Sequence, residues 1–156
     1  YGDHRDLHSL RRRQRQMCIR DSSYASYIHF LRRYSAKLIY ELELHKARNL
    51  EKAKTLYEQI MSKYLLYRYN PSIYLYDVDL GFYTGEYLRA WFFEAMLRKY
   101  LEESYGDWVN SRKAGDFVKS LWRIGFSKTL EELVEKIDYR EISEKNAVEI
   151  ISKPLF

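Results

Sequence analysis

The sequence contains little that would interrupt a helix or cross-link a fold. Of its 156 residues, two are proline, six are glycine and one is cysteine, Cys18. Scarce proline and glycine, with long stretches of apolar residues at helical spacing, predict an all-α fold. A single cysteine cannot form an internal disulfide, which favours a reducing compartment, so we expect a cytoplasmic protein. No apolar run approaches about 20 residues, so we expect no membrane partner.

Sequence motifs of common enzymes are also missing, because HExxH, GxSxG, the P-loop and GxGxxG do not occur. Glu41 and His45 have the i, i+4 spacing of a two-ligand metal pair, but two ligands do not make a metal site. The alternative is that His45 is a packed or capping histidine at the end of a helix. We therefore expect this chain to hold no metal.

The formal net charge of +5 is concentrated at the start of the chain. Residues 1–22 contain six Arg and three Asp, whereas the rest of the chain carries 21 basic and 19 acidic side chains. A nucleic-acid-binding surface needs clustered positive charge, so the near balance after residue 22 predicts no nucleic-acid partner.

Residues 1–22 differ from the rest of the chain in pattern. The string RRRQRQMCIRDS has no apolar face, and it resembles translated sequencing-adapter sequence of the kind found in metagenomic assemblies. The alternative is a basic arm for nucleic acid or an anionic surface. We expect this segment to be disordered or artefactual and poorly packed. Because the chain begins at Tyr1 and not at Met, we also expect a fragment of a longer reading frame.

The remaining chain, residues 23–156, predicts a multi-helix orthogonal bundle around one central helix. Residues 79–101 are apolar on almost every side, which predicts a central helix over 82–104 that is buried on all sides. The cap signals are Ser111, Gly125, Ser143 and a Thr129–Glu132 capping box. About six helices are predicted, over 23–46, 50–67, 82–104, 112–124, 130–138 and 144–151, and Pro154 ends the last one.

The first two predicted helices form an antiparallel hairpin, because a short turn joins them. Lys37 and Glu41 are assigned to the outer faces of the first helix. Its inward stripe is predicted to consist of Tyr24, Tyr27, Ile28, Leu31, Tyr34, Leu38, Leu42 and His45.

Polar residues on the central helix are the candidate site. Tyr83, Tyr87 and Glu94 lie on one side of the helix, where the tyrosine hydroxyls could donate hydrogen bonds to a substrate carbonyl or a developing oxyanion. The structural alternative is a Glu94–Arg98 ion pair with tyrosines that fill the core. Arg89 lies on another face, where it could bind a carboxylate or pair with Glu86.

The second half of the chain contains three notable strings: Phe93-Glu94-Ala95-Met96-Leu97, Ser111-x2-Ala114-Gly115-x9-Gly125-Phe126-Ser127 and the Lys153-Pro154-Leu155 turn. Together they resemble zinc metallopeptidases of the peptidyl-dipeptidase, or angiotensin-converting-enzyme, type. The string Phe93–Leu97 is similar to an F-H-E-A-L helix of that family. The layout of residues 81–91 is similar to the thimet-oligopeptidase and oligoendopeptidase group.

The resemblance implies a large α-helical shell around a deep cleft, with a zinc held by HExxH and a downstream Glu. This chain would be the C-terminal wall of the cleft, facing a missing N-terminal half of the same protein. By analogy, Tyr83 and Tyr87 are the oxyanion or substrate-carbonyl donors, and Arg89 is a candidate for the carboxylate of a peptide substrate. HExxH is absent here, so zinc would be held by the intact parent only, and the isolated chain is predicted to hydrolyse nothing.

A self-contained helical interaction or nucleic-acid-binding module is the alternative function. It would use the Arg-rich segment and a tyrosine stacking surface. The two hypotheses differ in one structural expectation. A truncated peptidase predicts an exposed apolar face where the missing half docks, and a self-sufficient module predicts none.

Overall fold

A computed structural model describes the backbone of residues 3–47 and 49–152. That part of the chain is helical and contains no strand, as predicted. Six α-helices follow one another, with short 3₁₀ turns before α2, α3 and α4. Their bounds are α1 Asp3–Lys46, α2 Ala53–Leu65, α3 Tyr83–Tyr105, α4 Arg112–Ile124, α5 Leu130–Glu135 and α6 Lys145–Ser152.

Helix α1 begins 20 residues earlier than predicted and is 44 residues long. Residues 3–22, expected to be disordered or artefactual, are therefore helical. Their composition explains this, because Arg, Gln, Leu and Met are good helix formers and neither proline nor glycine occurs between Asp3 and Lys46. The resemblance of this segment to adapter sequence stays a prediction.

Helices α1 and α2 pack as the predicted antiparallel hairpin. Tyr40 lies against Tyr57 with ring centroids 4.8 Å apart, and Arg32, two turns earlier, donates to the carbonyl of Tyr64 near the end of α2. Their core consists of Ala36, Tyr40, Leu44, Ala53, Tyr57, Met61 and Leu65.

The predicted inward stripe of α1 was wrong by about one residue position. Only Leu31 of that stripe is buried, and Leu42 and His45 are exposed. The buried face instead includes Lys37 and Glu41, which apolar spacing assigns to the outer faces. Apolar spacing could not reveal this face, because two charged side chains on it are paired with residues far along the chain.

The segment between α2 and α3 packs partly onto this hairpin. Tyr69 and Tyr74 contact the hairpin core, whereas Tyr76 is 91% exposed. The segment ends in a 3₁₀ turn, Leu80–Phe82, which leads directly into α3.

Complete burial of α3 is not confirmed. Buried positions along it are Thr84, Leu88, Ala95, Met96 and Leu101, while Glu86 and Ala90 are exposed.

Helices α4 to α6 contain 13, six and eight residues. They are too short to cover a 23-residue helix on every side.

The cap signals were confirmed for the last helices. The Ser111 hydroxyl accepts from the Ala114 amide at the start of α4, and Gly125 ends that helix with φ 56°. Thr129 and Glu132 form the predicted capping box. Ser143 accepts from the Lys145 amide at 3.3 Å. Pro154 and the Lys153–Leu155 turn lie outside the described residues.

The chain divides into two compact units, with the boundary inside α3. The first unit extends to Gly85 and contains the α1–α2 hairpin, and the second begins at Glu86. Met96, Val134 and Ile137 form the core of the second unit. Among the described helices, none combines the length and the apolar character that crossing a membrane requires.

Candidate functional site

The two candidate donor tyrosines lie at the start of α3, one turn apart. Tyr83 is 56% exposed and Tyr87 is 42% exposed, so neither side chain is enclosed in a core. The ring of Tyr87 lies 6.4 Å from that of Trp91, one turn further along the helix. A tyrosine hydroxyl can donate a hydrogen bond to a peptide carbonyl.

Arg89, the candidate for a substrate carboxylate, is already neutralised. Its Nε lies 3.3 Å from a carboxylate oxygen of Glu86, and its Nη2 donates to Glu131 of α5. The hydrogen bond to Glu131 raises the pKa of Arg89 and lowers that of Glu131. The predicted Arg89–Glu86 pair is therefore present, and a second carboxylate joins it.

Glu94 and Arg98 form the ion pair that the sequence predicted as the structural alternative. Nε of Arg98 lies 3.1 Å from Oε1 of Glu94, and Nη2 donates to the same oxygen. Oε1 of Glu94 is thus occupied by a neighbour on α3.

A buried polar cluster in the first unit is the feature that sequence reasoning missed. We call it the hairpin cluster. Lys37 and Thr84 are buried, as are two of the three carboxylates, Glu41 and Asp77. Its members are Arg33, Lys37 and Glu41 of α1, Tyr57 of α2, Asp77 and Asp79 of the intervening segment, and Thr84 of α3.

Asp77 is the most heavily hydrogen-bonded member of the hairpin cluster. Arg33 Nη2 donates to both of its carboxylate oxygens, at 2.9 and 3.0 Å. The Tyr57 hydroxyl donates to Oδ2 at 2.6 Å. Burial and this hydrogen bond to a carboxylate raise the pKa of Tyr57 well above its ordinary value, so the hydroxyl keeps its proton.

Lys37 links all three carboxylates. Its Nζ lies 2.8 Å from Asp79 Oδ2, 3.6 Å from Asp77 Oδ1 and 3.9 Å from Glu41 Oε1. The hydrogen bond from Lys37 lowers the pKa of Asp79. Among the described residues, this cluster contains two cations, Lys37 and Arg33, and three carboxylates, which gives it a formal excess of one negative charge.

Sequence alone carried a weak signal for the hairpin cluster. Arg33, Lys37 and Glu41 follow one another at four-residue intervals, so they form one polar row on α1. Their acidic partners Asp77 and Asp79 lie more than 35 residues away, and no local pattern connects them.

The spacing of Glu41 and His45 does not produce a metal pair. The Glu41 carboxylate turns to Asp79 and Thr84, whereas His45 Nδ1 lies 2.7 Å from the backbone oxygen of Glu41. His45 is therefore the capping histidine that the alternative predicted. Within the described residues, no three His, Cys, Asp or Glu side chains come together as metal ligands.

The second unit carries an open apolar groove of about 330 Å³. Two of the residues that line it are highly exposed: Trp122 is 75% exposed and Phe126 is completely exposed. Residues that line it include Phe93, Leu97, Val118, Leu121, Trp122, Phe126 and Leu133.

No protein-family model, curated protein or solved structure matches this chain.

Proposed function

We propose that the chain is the helical substrate-cleft portion of a cytoplasmic peptidase, whose metal-bearing half belongs to the same protein but not to this sequence. Tyr83 and Tyr87 would donate hydrogen bonds to the carbonyl of a bound peptide. The open groove of the second unit is the observation that carries this proposal.

The groove supports the proposal because it unites two separate strings that resemble the peptidase family. Phe93 and Leu97 belong to the string Phe93–Leu97. Gly125 and Phe126 belong to the string that ends at Ser127, about 30 residues later. Exposed apolar surface of this kind marks a place where another surface binds. A fragment separated from its docking half would expose such a face.

Zinc, which the resemblance implies, does not fit the described residues. Two histidines with side chains in the described part, His29 and His45, make ring contacts with Tyr67 and Phe82. No triad of ligands forms in that part of the chain. We therefore assign no step of hydrolysis to this chain, and its role is to bind and orient the peptide.

Arg89 is left out of the proposed site. Glu86 and Glu131 already hold its guanidinium, and a peptide carboxylate would have to displace them. Arg89 instead ties α3 to α5 within the second unit.

A self-contained helical interaction module is the alternative, and it predicts no exposed apolar face of this kind. In that case the tyrosines would have no catalytic role. The coding sequence upstream of residue 23 separates the two hypotheses. An in-frame HExxH followed by a Glu some tens of residues later supports the peptidase, and an unrelated domain there contradicts it.

Tyrosine variants of the intact parent test the assignment of the site. We expect Tyr83→Phe or Tyr87→Phe to reduce peptide turnover by about 10²–10³, as the loss of one oxyanion donor typically does. Tyr76→Phe is the matched control, because Tyr76 is also highly exposed but lies on the segment before α3. Turnover at the level of the parent in both test variants would show that these hydroxyls do not contact the reacting peptide.

A further inference from the structure

The backbone immediately before Tyr83 is strained. Gly81 has φ 64° and Phe82 has φ 57°, whereas Tyr83 returns to the ordinary helical region with φ −55°. Glycine adopts the left-handed region freely, but phenylalanine is disfavoured there because its Cβ crowds the backbone. Such a conformation persists only where the surroundings hold it.

One buried carboxylate is attached to both sides of this kink. Glu41 Oε1 accepts from the backbone amide of Asp79 at 2.9 Å, on the upstream side. The same oxygen lies 3.2 Å from the hydroxyl of Thr84, on the downstream side. Glu41 and Thr84 are completely buried, so water cannot replace these contacts.

The Thr84 hydroxyl also ties the two sides of the kink to each other. It lies 2.8 Å from Asp79 Oδ2, and its single proton is shared between that oxygen and Glu41 Oε1. Asp79 and Thr84, which are five residues apart in the chain, thus lie on either side of the strained pair Gly81–Phe82.

His45, one turn after Glu41 on α1, packs against the side chain of Phe82 in the kink. Its ring centroid lies 4.7 Å from that of Phe82. A backbone carbonyl can only accept, so His45 Nδ1 must donate to the oxygen of Glu41. The imidazole that makes this bond also contacts Phe82.

We propose that Glu41 and His45 are positioning residues that clamp the Gly81–Phe82 kink and thereby set the position of Tyr83. The i, i+4 spacing that suggests a metal pair instead places a carboxylate and an imidazole over the same strained turn. The clamp is a property of the first unit alone, and its relevance to peptide binding rests on the proposed function of Tyr83.

Hydrogen exchange of the full chain tests the clamp directly. In Thr84→Val and His45→Ala we expect the amides of Phe82 and Tyr83 to exchange about tenfold faster or more, because the held turn opens locally. Amides of α2 between Tyr57 and Met61 should keep their rates, which shows that the hairpin remains folded.

His45→Phe separates a clamp from a simple helix cap. Phenylalanine keeps the ring against Phe82 but loses the bond to the Glu41 carbonyl. We expect His45→Phe to restore slow exchange at Phe82 and Tyr83, whereas a residue that only caps α1 would not be rescued. Failure of this rescue would overturn the proposal, as would unchanged exchange in Thr84→Val and His45→Ala.

A fluorine label on the ring of Tyr83 gives a second measurement that does not depend on catalysis. We expect one ¹⁹F resonance in the unsubstituted chain and in His45→Phe, and a shifted or split resonance in His45→Ala. A resonance that stays unchanged in His45→Ala would contradict the clamp. If the clamp variants behave as expected but Tyr83→Phe keeps full turnover in the intact parent, the clamp stands and the proposed function fails.

Discussion

At the scale of single residues, the surroundings of a charge decide its role in this protein. Lys37 and Lys46 lie on the same helix and each contacts a carboxylate at 2.8 Å. The side chain of Lys37 is only 7% exposed and faces three carboxylates, whereas that of Lys46 is 69% exposed and faces one. Removing a cation from a buried cluster leaves uncompensated charge in the interior, and removing a surface cation does not.

Lys37→Met should therefore destabilise the chain strongly. We expect a loss of about 3–5 kcal/mol in the free energy of unfolding, measured by urea denaturation, because the cluster keeps three carboxylates and a single cation. Lys46→Met is the matched control and should change stability by less than about 1 kcal/mol. Equal losses in the two variants would show that the hairpin cluster does not hold the first unit together.

At the scale of elements, local chemistry sets where the later helices begin and end. Helix α4 runs over Arg112–Ile124, as predicted, because Ser111 caps its start and Gly125 ends it. Helix α5 starts as predicted after its capping box. Helix α1 lacked such boundary signals, and its start was predicted 20 residues too late.

Two glycines of the string that resembles the peptidase family should respond oppositely to alanine. Gly125 has φ 56° and ψ −131°, a conformation that side chains strongly disfavour, so Gly125→Ala should cost about 1–3 kcal/mol. Gly115 lies inside α4, and the space that the Cβ of an alanine would occupy is open. Gly115→Ala should therefore raise the free energy of unfolding by up to about 1 kcal/mol. Thermal unfolding measures both. A stabilising Gly125→Ala would contradict the assigned end of α4.

At the scale of the whole molecule, charge and apolar surface are unevenly distributed. The excess of positive charge belongs mainly to residues 1–22, while the open groove belongs to the second unit. Any affinity for nucleic acid should therefore come from the first segment, by release of counterions, and should not depend on the groove.

Replacing Arg11, Arg12 and Arg13 together by Gln tests this distribution. We expect binding to a single-stranded oligonucleotide at about 50 mM salt to weaken by about tenfold or more, with a smaller dependence on salt, as measured by fluorescence anisotropy. The control replaces the exposed Lys46, Lys63 and Lys113 by Gln and should change binding by less than about twofold. An equal loss in the control would show that the positive charge of residues 1–22 does not dominate the binding.

The sequence by itself determined the fold class and most helix boundaries of this protein. Both depend on local causes: scarce helix breakers, apolar spacing and cap residues within four positions of one another. It also predicted the antiparallel hairpin and the Glu94–Arg98 and Arg89–Glu86 pairs, because those partners are close in the chain.

Only the tertiary structure decided which face of α1 is buried and what surrounds Tyr83. Lys37 and Glu41 are polar, so a pattern of apolar residues assigns them to solvent. They are buried because Asp77, Asp79 and Thr84 return from about 40 residues away to pair with them. A contact between residues so distant in sequence depends on how the chain folds back, and no local property of either segment encodes it.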